Sequence, residues 1–314
     1  MKNKVLTGLL LVLIGGWGSL SAQSAGSNYS RQVNTLIGTK GVGLTSGYLY
    51  PGATYPYGMV QFTPSYFSKR SGFVINQLSG GGCEHMGNFP TFPVKGKLKM
   101  SPDNILNYRI NISEEKGHAG YYEAMVQEDI KAKLTVTERT GMASYEYPAD
   151  QQYGTVIIGG GISATPIEQA AIVITAPNKC EGYAEGGNFC GLRTPYKVYF
   201  VAEFDTDALE SGTWKRNELK PNTTFAEGEY SGVYFTFDVN KKKNIQYKIG
   251  VSYVSVENAR ENLKTENSGW DFLQIQNQAE SKWNHYLGKI EVEGTNPDRT
   301  TQFYTHLYRS FIHP

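Results

Sequence analysis

Two stretches alternate residue by residue: Tyr196, Val198, Phe200, Ala202 and Phe204 in YKVYFVAEF, and Ile245, Tyr247, Ile249, Val251 and Tyr253 in IQYKIGVSYV. Successive side chains of an extended chain point to opposite faces, so period two means strands with one face packed and the other wetter. Shorter signals of the same kind fall at 133–137, 143–147, 155–158 and 233–239, separated by clusters of Gly, Pro, Asn and Asp. Helical spacing is scarce before residue 260. The pattern predicts a mainly β fold, a large antiparallel β-sandwich over residues 31–260.

Past residue 260 the period lengthens. In SGWDFLQIQNQAESKWNHYLG, Phe272, Ile275, Ala279, Trp283 and Tyr286 recur at spacings of three and four, with Ser268 and Asp271 placed as a capping box and Gly288 as the stop. A strand-like KIEVEG follows, then a helix with Asn296 at its cap, Pro297 in its first turn, and Phe303, Leu307 and Phe311 on one face. The reading is a helical linker over 261–295 and the start of a further helical domain over 296–314. Apolar faces on such helices need a partner, and left exposed they would drive self-association. The chain reads as the front part of a longer protein.

The first 22 residues have Lys2 and Lys4, an apolar run from Val5 to Ile14 and small residues from Ser19 onward, the layout of a secretory signal peptide. No later run has the length of a transmembrane span. With 30 Lys and Arg against 29 Asp and Glu, the basic excess of a nucleic-acid binder is missing. The run Lys241, Lys242, Lys243 reads as a solvated hairpin tip. Cys180 and Cys190 bracket KCEGYAEGGNFC. A disulfide between them and two free thiols are both compatible with the sequence, and the disulfide would leave Cys83 over. No Cys or His pair has zinc-ligand spacing.

Two stretches are candidate binding loops. In SGFVINQLSGGGCEHMGNFPTFPV, Gly80, Gly81 and Gly82 permit positive φ and close approach of a ligand to the backbone, and Glu84 and His85 supply an acceptor and a donor or acceptor. A tight connection between strands would use the same glycines. In GTKGVGLTSGYLYPGATYPYGMVQFTP, Tyr48, Tyr50, Tyr55 and Tyr57 offer rings that stack on a sugar or pack in the core. Neither stretch has the strand, glycines and helix of a phosphate loop.

Taken together, VNTLIGT, YPGATYPYGMVQFTP, GFVINQLSGGGCEHMGNFPTFPV, LTVTERTGM and FYTHLYRSFIHP resemble, in collinear order, the N-terminal half of glycoside hydrolase family 92, calcium-dependent exo-α-mannosidases abundant in glycan-degrading gut Bacteroidetes. The resemblance implies a galactose-mutarotase-like supersandwich, a helical linker and the first helix of an α/α toroid. It implies that catalytic carboxylates and calcium ligands come from the toroid, so no catalytic or metal residue is assigned here. It assigns Gly80, Gly81, Gly82, Cys83, Glu84, His85 and Asn88 to a substrate-facing loop. It also implies mannose-containing glycans as partner, inversion as the stereochemical outcome, and export to the periplasm or outer surface of a Gram-negative bacterium. Some relatives carry a Trp-bearing segment in this region and others a His-Thr-His segment; this chain carries neither, so linkage preference does not follow. The rival reading is a stand-alone carbohydrate-binding or scaffold module, or an inactive fragment.

Overall fold

The computed structural model describes residues 28–39, 49–65, 72–83, 85–103 and 111–313. Among the described residues seventeen strands form two sheets, and the pairings between strands are antiparallel. In chain order they are β1 (Ala53–Thr54), β2 (Gln61–Pro64), β3 (Phe73–Val74), β4 (Thr91–Lys95), β5 (Ile112–His118), β6 (Tyr121–Val126), β7 (Ile130–Val136), β8 (Thr140–Glu146) and β9 (Tyr153–Gly159). The series continues with β10 (Ile167–Ala176), β11 (Lys179–Phe189), β12 (Leu192–Phe204), β13 (Glu210–Lys215), β14 (Glu218–Pro221), β15 (Phe225–Glu227), β16 (Ser231–Asp238) and β17 (Asn244–Ser252). One sheet runs β1-β2-β3-β4-β9-β16-β13-β14, the other β15-β10-β11-β12-β17-β8-β7-β6-β5.

The alternation read from sequence is the packing observed. Val198, Phe200, Ala202 and Phe204 of β12 and Ile245, Tyr247, Ile249 and Val251 of β17 are buried in one core with Val233, Phe235 and Phe237 of β16. Phe204 marks where the sheets meet, its ring 4.9 Å from Phe235, 5.0 Å from Phe237 and 5.3 Å from Tyr247. Lys241, Lys242 and Lys243 lie at the β16–β17 connection, where Lys242 pairs with Asp205 at 2.8 Å.

The helices depart from the sequence reading in three places. After a short N-terminal turn, α1 (Tyr29–Gln32), a helix not foreseen, α2 (Val256–Glu266), is capped by the Ser255 hydroxyl and packs on β12 and β17. The next helix, α3 (Phe272–Leu287), is capped by Asp271, not Ser268. Buried Lys248 explains the shift: its ammonium donates to the carbonyls of Asn267 and Ser268 at 3.0 and 3.2 Å and lies 4.3 Å from the Trp270 ring centroid, fixing that segment to the sheet. KIEVEG forms no strand. Its backbone is satisfied instead by the Tyr304 hydroxyl, which donates to the Ile290 carbonyl and accepts from the Val292 amide, both at 3.3 Å. The last helix, α4 (Pro297–Ser310), starts as predicted, the Asn296 side chain accepting from the amides of Asp298 and Arg299.

The apolar face of α3 is largely covered within the chain and that of α4 in part, so the linker helices are less exposed than expected. Trp283, Leu287, Tyr304, Tyr308 and Ile312 form a second core with Val33 and Ala119, while Phe303, Leu307 and Phe311, the predicted face, are half-buried at its margin. Gly120, at φ +86°, makes room: a Cβ there would lie 2.9 Å from the Ala279 Cβ. The Arg309 guanidinium ties α4 to the N-terminal segment, donating to the carbonyls of Thr35 at 2.6 Å, Tyr50 at 3.0 Å and Ile37 at 3.3 Å. Beside it, Arg31 makes a two-pronged pair with Glu280 of α3 at 2.7 and 3.0 Å, and the Gln276 amide donates to the same carboxylate.

Two predictions follow from this second core. Trp283→Ala empties a fully buried site and removes the indole donor, so urea unfolding should show a loss of about 3–5 kcal/mol; a loss below about 1 kcal/mol would contradict the docking described. His118 sits 3.6 Å from Glu280 and stacks on Tyr121 at 5.0 Å. Burial first, then the nearby Arg31 charge, hold its pKa below the ordinary value, against the pull of Glu280. The unfolded chain therefore binds the proton more readily, and stability should be lost as pH falls through about 6.5. Comparing pH 7.5 with 5.5, His118→Phe should lose less stability than the parent; equal losses would contradict this.

Candidate functional site

The 80–88 loop leaves the short strand β3 side of the sandwich and returns to the core through Phe89, whose buried ring lies 4.2 Å from that of Phe200. Its backbone is unusual. Gly80, Gly82 and Gly87 have φ of +78°, +74° and +75°, and Met86 and Phe89, with side chains, also take φ near +55°. Left-handed backbone at non-glycine residues is held only where the surroundings over-determine it.

Those surroundings are a buried polar base. Asn88 is 0 % exposed; its amide N–H donates to Asn76 Oδ1 at 2.8 Å, and its own Oδ1 accepts from Asn76 Nδ2 at 3.1 Å and from the Tyr196 hydroxyl at 2.9 Å. Asn76 Nδ2 also reaches the Tyr253 hydroxyl at 3.3 Å, and that hydroxyl donates to Met86 Sδ at 3.6 Å. Burial pushes the Tyr196 phenol up to about 12, so it stays a neutral donor. The Ala164 amide closes the base by donating to the Met86 carbonyl at 2.8 Å.

His85 lies between this base and the β11–β12 hairpin. It is 7 % exposed, its ring 5.0 Å from Phe189 and 5.8 Å from Tyr196. Nδ1 is 3.2 Å from the Asn188 carbonyl, which can only accept; Nδ1 therefore carries the proton, and in the neutral ring Nε2 is the acceptor. Among the described residues, a Cβ built on Gly82 meets nothing within 4 Å, so that face of the loop has room for a ligand. Gly81 rests against the Phe189 ring, its Cβ position 3.5 Å away.

Cysteine pairing differs from both alternatives the sequence left open. The disulfide joins Cys83 to Cys190, across 107 residues with Cα atoms 5.4 Å apart, and Cys180 is a free, buried thiol. On β11, Cys180 stands opposite Ala202 and points into the core, far along the strand from Cys190 at its turn. Cys83 is therefore a tether and not a leftover thiol. Glu84, and Tyr48 of the second loop, lie outside the described residues. Of the other tyrosines, Tyr50 is buried and Tyr55 half-buried, while Tyr57 is 41 % exposed and packs with Tyr286 and Phe311 at 5.7 and 5.9 Å.

One contributor comes from the far end of the chain. Nε2 of His313 accepts from the Gln61 side-chain amide at 2.9 Å and from the Ser79 backbone amide at 3.3 Å, so α4 ends against the root of the loop. Burial lowers the pKa of His313, which keeps the ring neutral for that role. Asn76 and His313 were not singled out from sequence, and Cys190 was considered only as a partner for Cys180. The alternation put Tyr196 and Tyr253 on strand faces without indicating which polar group their hydroxyls meet. Among the described residues no group of three or more His, Cys, Asp or Glu side chains could hold a metal. Asn88→Ala should cost about 1–3 kcal/mol, because it takes the acceptor from the Tyr196 hydroxyl and one of two bonds from the Asn76 amide. An unchanged unfolding midpoint would contradict the supporting role given to Asn88.

Comparison with known proteins gives this arrangement its setting. The model of the glycosyl hydrolase family 92 N-terminal domain matches residues 32–252, and that of the family 92 catalytic domain matches 258–314. An uncharacterized secreted glycosidase of Arthroderma benhamiae is 26% identical over 325 residues, covering 90% of this chain and 41% of its own length. A family GH92 α-mannosidase of Bacteroides thetaiotaomicron superimposes with a TM-score of 0.78 at 25% identity, over 91% of this chain and 42% of that one. Its complex with mannoimidazole gives 0.79 at 24% identity, over 92% and 40%. The chain thus spans about 41% of the length of the curated relative it matches. With the sandwich matched by one model of a family and the helices by the other, the chain belongs to glycosyl hydrolase family 92.

Proposed function

We propose that this chain is the N-terminal, pocket-walling part of an exported α-mannosidase that removes terminal α-mannose from glycans, N-glycans among them, with inversion. The observation that carries the reading is the open backbone at Gly82 standing on a polar base of Asn76, Asn88, Tyr196 and Tyr253, with His85 following in the same loop. A pyranose can lie against backbone that has no side chain to fend it off, and one of its hydroxyls can donate to an imidazole acceptor. Support also comes from family membership and from the relative crystallised with mannoimidazole. The secreted relative supports export, and we place the protein in the periplasm or on the outer surface of a Gram-negative cell.

Inversion needs a carboxylic acid at the leaving oxygen and a carboxylate activating a water on the opposite face, the two about 6.5–9.5 Å apart. We assign neither to this chain. In this reading both belong to sequence beyond Pro314, as do the ligands of the calcium ion that the family resemblance implies. The described residues group no metal-binding set, so no step here passes through the ion. The contribution of this chain is to bind and orient the sugar.

The 314-residue chain should hydrolyse aryl α-mannosides no faster than buffer, with calcium present. Produced together with the sequence its reading frame encodes after Pro314, it should release mannose whose first-formed anomer, followed by proton NMR, is β. Turnover by the chain alone that disappears when one of its own carboxylates is mutated would overturn the division of labour. Sugar binding without hydrolysis in either form would favour a carbohydrate-binding module.

A further inference from the structure

The Cys83–Cys190 disulfide joins two segments that the fold does not otherwise connect covalently: the 80–88 loop and the turn of the β11–β12 hairpin, where Phe189 pairs with Leu192. Among the described residues the other contacts between them are non-covalent. His85 Nδ1 donates to the Asn188 carbonyl, its ring meets that of Phe189, and Gly81 rests on the same ring. The open face at Gly82 is next in sequence to the tethered residue. Cys190 is exposed and Cys83 half-exposed, so a soluble reductant reaches the bond, whereas Cys180 is 0 % exposed and takes no part in exchange.

We propose that Cys83 and Cys190 are positioning residues of the sugar site: their disulfide locks loop and hairpin tip into one lip, and reduction by a dithiol loosens that lip and weakens sugar binding while the sandwich stays folded. The inference rests on the mannose-site reading above. In the chemical step a dithiol thiolate attacks one protein sulfur, the S–S bond breaks, and the mixed disulfide is resolved by the second thiol of the reagent. The reagent leaves as a cyclic disulfide, and two electrons and two protons pass to Cys83 and Cys190 as thiols. The tether acts on the ordered geometry that binding requires, since a loop free to sample other conformations binds only in the competent fraction.

The test compares the oxidised chain, the chain treated with dithiothreitol, and the Cys83→Ser/Cys190→Ser variant. Amide hydrogen exchange is followed at Ser79, Ala164 and Gly191, whose N–H groups bond to His313, Met86 and Asn188, against Phe200 and Tyr247 in the core. Affinity for methyl α-mannoside is measured on the same samples. Reduction and the double variant should each speed exchange at the three lip amides at least about tenfold more than in the core, and weaken sugar affinity about tenfold. Lip exchange that does not respond overturns the tether. Faster exchange with unchanged affinity overturns the positioning role. An oxidised chain that binds no sugar overturns the mannose reading itself, whatever the exchange shows.

Discussion

Thr54 is the point on which the arrangement depends. This residue of a two-residue strand accepts the Trp283 indole N–H on its carbonyl at 2.7 Å, and its hydroxyl shares a 2.7 Å hydrogen bond with that of Tyr308. The helices α3 and α4 are thereby fixed to the edge of the eight-stranded sheet by buried bonds on one residue. Buried polar groups must find partners or cost about 1–3 kcal/mol each, so the two rings, 4.6 Å apart, cannot slide independently. The second core fills in around them, with Arg31 and Arg309 binding the N-terminal segment over the top.

From that anchor the geometry reaches the candidate site in two steps. The turn after β1 receives the end of α4, the Tyr57 amide donating to the Phe311 carbonyl at 2.9 Å. Two residues on, His313 bonds the Ser79 amide at the root of the glycine loop. The loop is thus supported from three directions: by α4 at its root, by the Asn76, Asn88, Tyr196 and Tyr253 network from beneath, and by the disulfide at its tip. Rigid support of an open, side-chain-free surface is what a binding site requires, and it accounts for left-handed backbone at Met86 and Phe89.

How much of this was legible follows from which forces act locally. The strands were readable because burial imposes period two directly on residues such as Val198 to Phe204, and the α4 start because the Asn296 cap and Pro297 act within one turn. The start of α3 was misplaced because Lys248, nineteen residues away from Asn267, decides it through a tertiary bond. KIEVEG alternates like a strand, yet it has no sheet edge to join and Tyr304 satisfies its backbone instead. The cysteine pairing was beyond sequence for the same reason. Closeness along the chain left Cys180 with Cys190 open as a pair, whereas the pleat turns Cys180 into the core and the hairpin carries Cys190 to Cys83. Within the site, the glycines announced the loop, but the polar base beneath it is assembled from five separate segments and leaves no local signature.

A crystal structure of the chain soaked with methyl α-mannoside tests the central claim most directly. The account predicts the pyranose against the backbone of Gly82, with one hydroxyl within hydrogen-bond distance of His85 Nε2. Sugar bound only elsewhere, for instance on the exposed Tyr57 cluster, or an empty loop at saturating sugar, would contradict it.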